Sequence, residues 1–338
     1  MRYAALRGNG LARNTIFDLR HPSNRDDCLV PYDLLRRKFR AADIQIDTAD
    51  IAAEHAITLE IHQNLQNGGG AENKYLLMHE TDLVWPANGD ASHWPKYRKI
   101  FTWNDDLVDG KLFIKLNNPN PIAIGGVGDF MSRDRFCCLI AGNKALPVRD
   151  ERDLYPERVK AIRWFEANAP DDFDLYGTDW NLPEPHGGIA GRLEQRFWKG
   201  LDRLVTLRPF PSYRGTVGHK REVLARTRFS ICYENVRDVR GYITEKIFDC
   251  FFSGCVPVYW GAPDIAECVP ADCFVDRRRF RDTAEVYAFL REMSEETFTG
   301  YQRAIAAFLG SAAAYPFSSE CFAETIVSTI MDDLGRRS

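Results

Sequence analysis

The chain has 338 residues, of which 45% are hydrophobic and 27% charged, with a formal net charge of −4. That composition suits a globular protein long enough for two domains, each able to bury its own core. The slightly acidic balance excludes the electrostatic footprint of a nucleic-acid binder, and basic clusters such as 36–40 and 277–279 are short and interrupted, as solvated faces are.

Residues 1–13 carry no strong pattern and are expected to be poorly ordered, with a first strand at 14–19. After Pro31, residues 32–40 read as a short basic amphipathic helix, with Leu35 and Phe39 four apart and Leu34 beside them. Strands follow at 44–47, 57–62 and 75–79. The glycine triplet 68–70 between the last two lacks the Gly-Lys-Ser/Thr ending of a phosphate loop. Strand 75–79 delivers Glu80 to its carboxyl end, where open α/β sheets place chemistry. His79 and Asp82 are neighbouring candidates for a base, and a carboxylate capping the next turn is the structural alternative. Residues 100–103 form another strand. Asp105 and Asp106, like Asp26 and Asp27, are adjacent rather than alternating, so they read as turn residues and not as a metal site. Residues 115–128 are rich in Asn, Pro and Gly and read as a linker, which puts the first domain at 1–125 and the second at 126–318. Gly126 and Gly128 alone do not make a dinucleotide fingerprint.

The second domain opens with a strand at 135–141 and a helix at 155–168, with Val159, Ile162 and Phe165 on one face. Arg158 falls in its first turn, at what helical phase makes an exposed start, and Arg163 is the other basic candidate. A strand at 173–177 precedes a long loop at 178–198, marked by Pro183, Pro185, Gly187 and Gly188. A helix at 220–227 then leads into the most informative stretch of the chain. Residues 229–233 read as a buried strand ending in Glu234 and Asn235. A charged loop carries the chain to Thr244, a candidate N-cap. The helix that follows places Ile247, Phe248, Phe251 and Phe252 on one face, with Gly254 at C′. Strand 256–260 completes a βαβ unit. Glu245 and Lys246 stand at the helix start, where free N–H groups and the positive dipole end suit a phosphate. Lys246 adds a full charge there, and Glu245 can accept from sugar hydroxyls. An ordinary charge pair at a helix start is the structural alternative. A strand at 274–276 and helices at 283–293, 295–309 and 319–334 close the chain. The last of these, within a terminal segment 319–338, is free to pack back on the first domain.

Three runs within residues 233–261, Tyr233-Glu-Asn, Gly241-Tyr-Ile-Thr-Glu-Lys-Ile and Gly254-Cys-Val-Pro-Val-Tyr-Trp-Gly, together resemble the donor-binding signature of glycosyltransferase family 10, the α-1,3/1,4-fucosyltransferases. The intervening loop 236–241 is longer and more basic than the bacterial form of that signature. The resemblance implies a GT-B fold, an α/β architecture of two Rossmann-like domains facing a central cleft. It implies an inverting transfer of fucose from GDP-fucose to an oligosaccharide or glycoconjugate hydroxyl, in an α-1,3-type linkage, for protein glycosylation or polysaccharide biosynthesis. Glu80 takes the place of the family's catalytic base, in an element where Thr81 stands for a serine and the proline comes later, at Pro86. Arg158, with Arg163 as the fallback, matches the arginine that contacts the donor diphosphate. Asn235, Tyr242, Glu245 and Lys246 complete the donor site. No metal or other cofactor is implied. Alternatives are the same fold using a different GDP-sugar in envelope polysaccharide synthesis, or a non-catalytic carbohydrate- or nucleotide-binding protein of that fold. A nicotinamide oxidoreductase lacks its glycine fingerprint, and a serine hydrolase its Gly-x-Ser-x-Gly.

No apolar run reaches the ~18–20 residues that span a bilayer, and the first thirteen residues lack the apolar core of a signal peptide. The expected location is the cytoplasm, with or without attachment to a membrane surface. The nine cysteines are odd in number, scattered, and without His partners at zinc-site spacing, so free thiols are expected.

Overall fold

Two all-parallel sheets organise the protein, in a computed structural model that describes residues 2–124 and 130–335. The linker boundary near residue 125, with Gly126 and Gly128, lies outside the described residues. One unit comprises residues 1–122, 240–242 and 314–338, and the other 123–239 and 243–313.

The first unit contains β1 (Arg2–Arg7), α1 (Val30–Ala41), β2 (Ile44–Thr48), α2 (Ala49–Ala52), β3 (Ile57–Gln63), β4 (Asn73–Met78), β5 (Lys99–Thr102) and β6 (Phe113–Lys115). The strands lie in the order β2-β1-β3-β4-β5-β6. A parallel sheet must be covered on both faces, which is why its strands read as apolar runs. Leu59, Ile61 and Tyr75 pack on Leu35 and Phe39 of α1 and on Phe322, Ile326 and Ile330 of the C-terminal helix. Leu76, Met78, Ile100 and Phe113 form the second core layer with Tyr97. The C-terminal helix is also tied by Asp333, which accepts from the Tyr75 hydroxyl at 2.8 Å and pairs with Arg98.

The second unit contains β7 (Arg135–Ile140), α3 (Tyr155–Asn168), β8 (Phe173–Tyr176), α4 (Gly188–Asp202), α5 (Lys220–Leu224), β9 (Thr227–Tyr233), α6 (Glu245–Phe252), β10 (Val256–Trp260), α7 (Ile265–Cys268), β11 (Val275–Asp276), α8 (Thr283–Glu292) and α9 (Glu295–Leu309), while α10 (Ser319–Gly335) belongs to the first. Its strand order is β11-β10-β9-β7-β8. Phe165, Phe173, Phe229, Val256, Val258 and Phe298 fill its core. Each sheet starts at an inner strand, runs outward on one side, then crosses over to build the other side. The order therefore reverses between β1 and β3, and again between β7 and β9. Ligands of open α/β sheets bind outside the carboxyl ends of the strands at such reversals.

Several sequence expectations need correction. The first strand is Arg2–Arg7, within the stretch expected to be poorly ordered. It is a central strand whose inward residues include Ala4 and Ala5, which carry little β signal. Residues 14–19 are not a strand. Asn14 adopts φ 57° and opens a short 3₁₀ turn at Thr15–Phe17. The expected loop 178–198 runs into the fifteen-residue helix α4, masked in the sequence by the Pro and Gly residues before it and by Gly191 and Gly200 inside it. Helix 220–227 stops at Leu224, and Thr227 already belongs to β9. All nine cysteines are free thiols.

Candidate active site

The carboxyl end of β9 lies beside the order reversal of the second sheet, and the last residues of the strand build a charged cluster there. Glu234 is fully buried, yet its carboxylate is saturated. It accepts from the Thr244 backbone N–H at 2.9 Å, from the Thr244 hydroxyl at 2.8 and 3.0 Å, and from Lys246 Nζ at 3.1 Å. The Lys246 ammonium bonds Thr244 Oγ1 as well, at 3.0 Å. Thr244 is the N-cap of α6, as its sequence position predicts. One buried carboxylate thus fixes both the cap and the cation at the mouth of the helix. Gly261 makes room for it, since a Cβ there would lie 2.5 Å from Glu234 Cγ.

Burial works against the Lys246 ammonium, but Glu234 and Glu245 outweigh it and raise its pKa above the ordinary lysine range. Glu245 stands half-exposed at the helix start. Burial raises its carboxyl pKa, yet Lys246 and Lys220 pull it down to about 2. On the next turn Asp249 bonds Lys220 Nζ at 2.6 Å, and burial pushes its pKa up to about 7 against that cation. A cavity of about 30 Å³ among Arg158, Lys220, Lys246, Asp249 and Cys232 has room for a water and not for a nucleotide.

Arg158 does not stand at an exposed helix start. It is 3% exposed and lies on the inner face of α3, one turn before Ile162 and two before Phe165, which are buried on the same side. Its Nη2 donates to the Tyr233 carbonyl at 2.7 Å and to Asn235 Oδ1 at 3.1 Å, and its guanidinium covers the Tyr155 ring. The Asn235 carbonyl accepts from Leu154 N–H. The fallback residue Arg163 is exposed, stacked 3.9 Å over Phe210 and bonded to Glu166 and the Pro209 carbonyl. Arg158, Asn235, Glu245 and Lys246 are therefore gathered at one strand end, with Glu234 and Thr244 between them. Glu234 carries no role in the sequence reading. The available signal is a carboxylate closing a buried strand ten residues ahead of a Thr-Glu-Lys helix start.

Tyr242 is the remaining residue of the expected donor set. Residues 240–242 belong to the first unit, where the Tyr242 ring is buried against Trp103 with centroids 4.7 Å apart. Trp103 Nε1 in turn donates to the His79 carbonyl at 2.8 Å, so this ring pair abuts the segment that carries Glu80. That segment leaves β4 under tight control. Asn64 Oδ1 accepts from the N–H groups of both His79 and Glu80, at 3.0 and 2.9 Å. Asn88 Nδ2 donates to the Glu80 carbonyl at 2.8 Å and to Asn64 Oδ1 at 3.0 Å. Two asparagines on flanking loops thus hold the backbone of the candidate base, a clamp that sequence spacing does not reveal. Burial pulls the His79 pKa down to about 4, leaving its ring neutral beside the Tyr32 hydroxyl at 3.2 Å. Asp82 is exposed.

Two parallel-sheet α/β domains of this kind are the architecture of the GT-B fold. Solved structures similar to this one share that fold. An α1,3-fucosyltransferase crystallised with GDP superposes with a TM-score of 0.52 at 14% identity, covering 97% of this chain and 89% of that one. Anabaena Alr3699/HepE, in complex with UDP and glucose, gives 0.55 at 10% identity, covering 98% and 100%. Likeness at such identities speaks for the fold. The sequence goes further: residues 208–303 match the C-terminal model of glycosyltransferase family 10 (fucosyltransferase), so the resemblance drawn from the 233–261 motifs is borne out. An α-(1,3)-fucosyltransferase of Helicobacter pylori is 31% identical over 103 residues, which cover 29% of this chain and 21% of that protein. An α-(1,4)-fucosyltransferase of Arabidopsis thaliana is 30% identical over 78 residues, 23% of this chain and 19% of that protein. These matches span only about a fifth of each relative's length.

Proposed function

We propose that the protein is an inverting fucosyltransferase that moves fucose from GDP-fucose to a hydroxyl of an oligosaccharide or glycoconjugate, in an α-1,3-type linkage. One observation carries the reading. The segment matching the fucosyltransferase family contains both Glu234, Asn235 and Thr244–Lys246 and the strand end that presents them. The first N–H groups of α6 and the Lys246 ammonium receive the donor diphosphate, with Arg158 behind the strand end. Glu245 and Asn235 serve the sugar and ribose hydroxyls. Glu80 takes the proton from the acceptor hydroxyl. The acceptor oxygen then bonds to the sugar C1 as the C1–O bond to the diphosphate breaks, and the electron pair leaves with GDP. Attack from the face opposite the leaving group inverts the anomeric centre. Charge on the departing diphosphate is met by fixed cations and helix N–H groups, so the reaction is expected to persist in a chelator.

The test is calorimetric binding and donor hydrolysis with a panel of GDP- and UDP-sugars, on wild type and Lys246→Ala. Tight binding of GDP-fucose that the substitution abolishes supports the assignment. Preference for another GDP-sugar retains the mechanism and changes the donor. Absence of nucleotide binding in a folded protein overturns the transferase reading.

A further inference from the structure

Helix α4 turns apolar side chains outward. Ile189, Leu193 and Phe197 recur every four residues and are 72, 59 and 63% exposed, and Leu204, just beyond the helix, is 84% exposed. A helix of a globular domain ordinarily turns such a stripe to the core. Here the inner face is made differently. Gly191 is the buried residue of the helix, and a Cβ on it would lie 1.7 Å from the His186 carbonyl, so the helix sits flat on its own leading loop. Polar bonds hold it in that rotation. Lys199 pairs with Asp179 at 3.0 Å, Asp202 accepts from Asn181 at 2.6 Å, and Glu194 bonds His186 at 2.8 Å. The outward stripe is therefore a fixed feature of the surface.

A row of arginines runs alongside. Arg192 and Arg196 each precede an apolar member of the stripe, and Arg203 falls on the same side of the helical wheel at the C-cap; all three are exposed. Residues 188–208 hold five basic and two acidic side chains, in a chain whose net charge is −4. Both acids, Glu194 and Asp202, are engaged in the bonds above. Pairing two copies of α4 through the stripe would set the arginine rows side by side with no free carboxylate on the helix to offset them. An anionic surface supplies that offset.

We propose that α4 docks the protein on an anionic phospholipid bilayer. The helix lies in the plane of the interface, with Ile189, Leu193 and Phe197 at the acyl boundary and Arg192, Arg196 and Arg203 at the headgroup phosphates. The inference stands on α4 alone and does not depend on the identity of the donor sugar.

The experiment is co-sedimentation of the full chain with vesicles of phosphatidylcholine alone and with an equal share of phosphatidylglycerol, at low and high salt. Wild type is expected on the anionic vesicles, released by salt, and absent from the neutral ones. L193S/F197S is expected to weaken partition on the order of 10²-fold. R192S/R196S should weaken it roughly 20–30-fold at low salt. Circular dichroism melts confirm that both variants are folded. Equal partition to neutral vesicles, no binding by wild type, or wild-type binding by the folded variants each overturns the proposal. So does a wild-type dimer in analytical centrifugation that L193S/F197S dissociates, since the stripe would then be a self-association face.

Discussion

Glu234→Gln isolates the contact on which the charged cluster at the end of β9 is built. Glutamine keeps the shape of the side chain and can still accept from Thr244, but it turns an amide toward the Lys246 ammonium and removes the buried negative charge. At 3.1 Å the Coulomb attraction is about 5 kcal/mol at an effective dielectric of 20, before desolvation is subtracted. Removing one member of a buried pair costs about 3–5 kcal/mol, because the other is left uncompensated. The Lys246 side chain keeps 20% of its exposure, which puts the expected loss at or just below the lower end of that range, about 2–3 kcal/mol. For a unit of this size that lowers the melting temperature by roughly 5–10 °C. Scanning calorimetry reads the shift. The double variant Glu234→Gln/Lys246→Met should recover at least about 1 kcal/mol of the summed single losses, as coupled neighbours do. If the single variant melts with wild type, or if the two losses simply add, Glu234 does not hold Lys246 and the account of the cluster fails.

Glu80→Gln should lower kcat on the order of 10²–10⁴-fold while calorimetric GDP binding is retained, as loss of a base requires; a parallel loss of GDP affinity would move Glu80 out of that role. The depressed His79 pKa makes stability depend on pH. Between the ordinary value of 6.5 and the folded value of about 4, the unfolded chain binds a proton that the folded one does not. Stability is therefore lost as pH falls from 6.5 toward 4, by on the order of 2 kcal/mol. Denaturant titrations across that window should be flatter for His79→Gln, and an unchanged slope would remove the ring from the buried side of the first unit. Gly261→Ala forces a Cβ against Glu234 Cγ and should cost about 1–3 kcal/mol in a melt, as overpacking does. A neutral result would mean that the turn after β10 yields easily.

What sequence alone reveals depends on which physical signal a segment carries. Strand β9, helix α6 and strand β10 are legible because each is a short apolar run punctuated by a cap and a C′ glycine, and Gly254 does take φ 62° there. Helix α9 is predicted to the residue, and the structure shows it capped by Ser294 with Phe298, Ile305 and Phe308 buried. Strand β1 is missed because Ala4 and Ala5 fit a crowded central position without advertising it. Helix α4 is missed because Gly191 stands where its packing requires it and Gly200 adds a second helix-breaking signal. The site divides in the same way. Glu245 and Lys246 follow from the helix-start rule, which is local. The burial of Arg158, the saturation of Glu234 and the Asn64–Asn88 clamp on Glu80 arise from partners 8 to 77 residues away, and no spacing within one element encodes them. Tyr242 shows the same limit, because its neighbours in sequence serve α6 while its ring packs on Trp103.

The burial of Arg158 changes what that residue is for. An exposed arginine would reach a diphosphate by closing a mobile side chain over it, with the entropy of that ordering set against binding. The observed guanidinium is already fixed, with Nη2 shared between the Tyr233 carbonyl and Asn235 Oδ1 and its plane over Tyr155. Its charge stands behind the end of β9 before any ligand arrives, which is the preorganisation that makes such groups effective in a transition state. Lysine in its place keeps the charge and loses the planar guanidinium whose Nη2 reaches both acceptors. Arg158→Lys should therefore weaken GDP binding roughly tenfold, for one charge-assisted bond lost from a fixed frame. The melt should move by no more than about 2 kcal/mol, so affinity and stability separate. GDP binding equal to wild type, measured by calorimetry on the folded variant, would show that Arg158 only braces the strand and that the diphosphate is held by α6 and Lys246 without it.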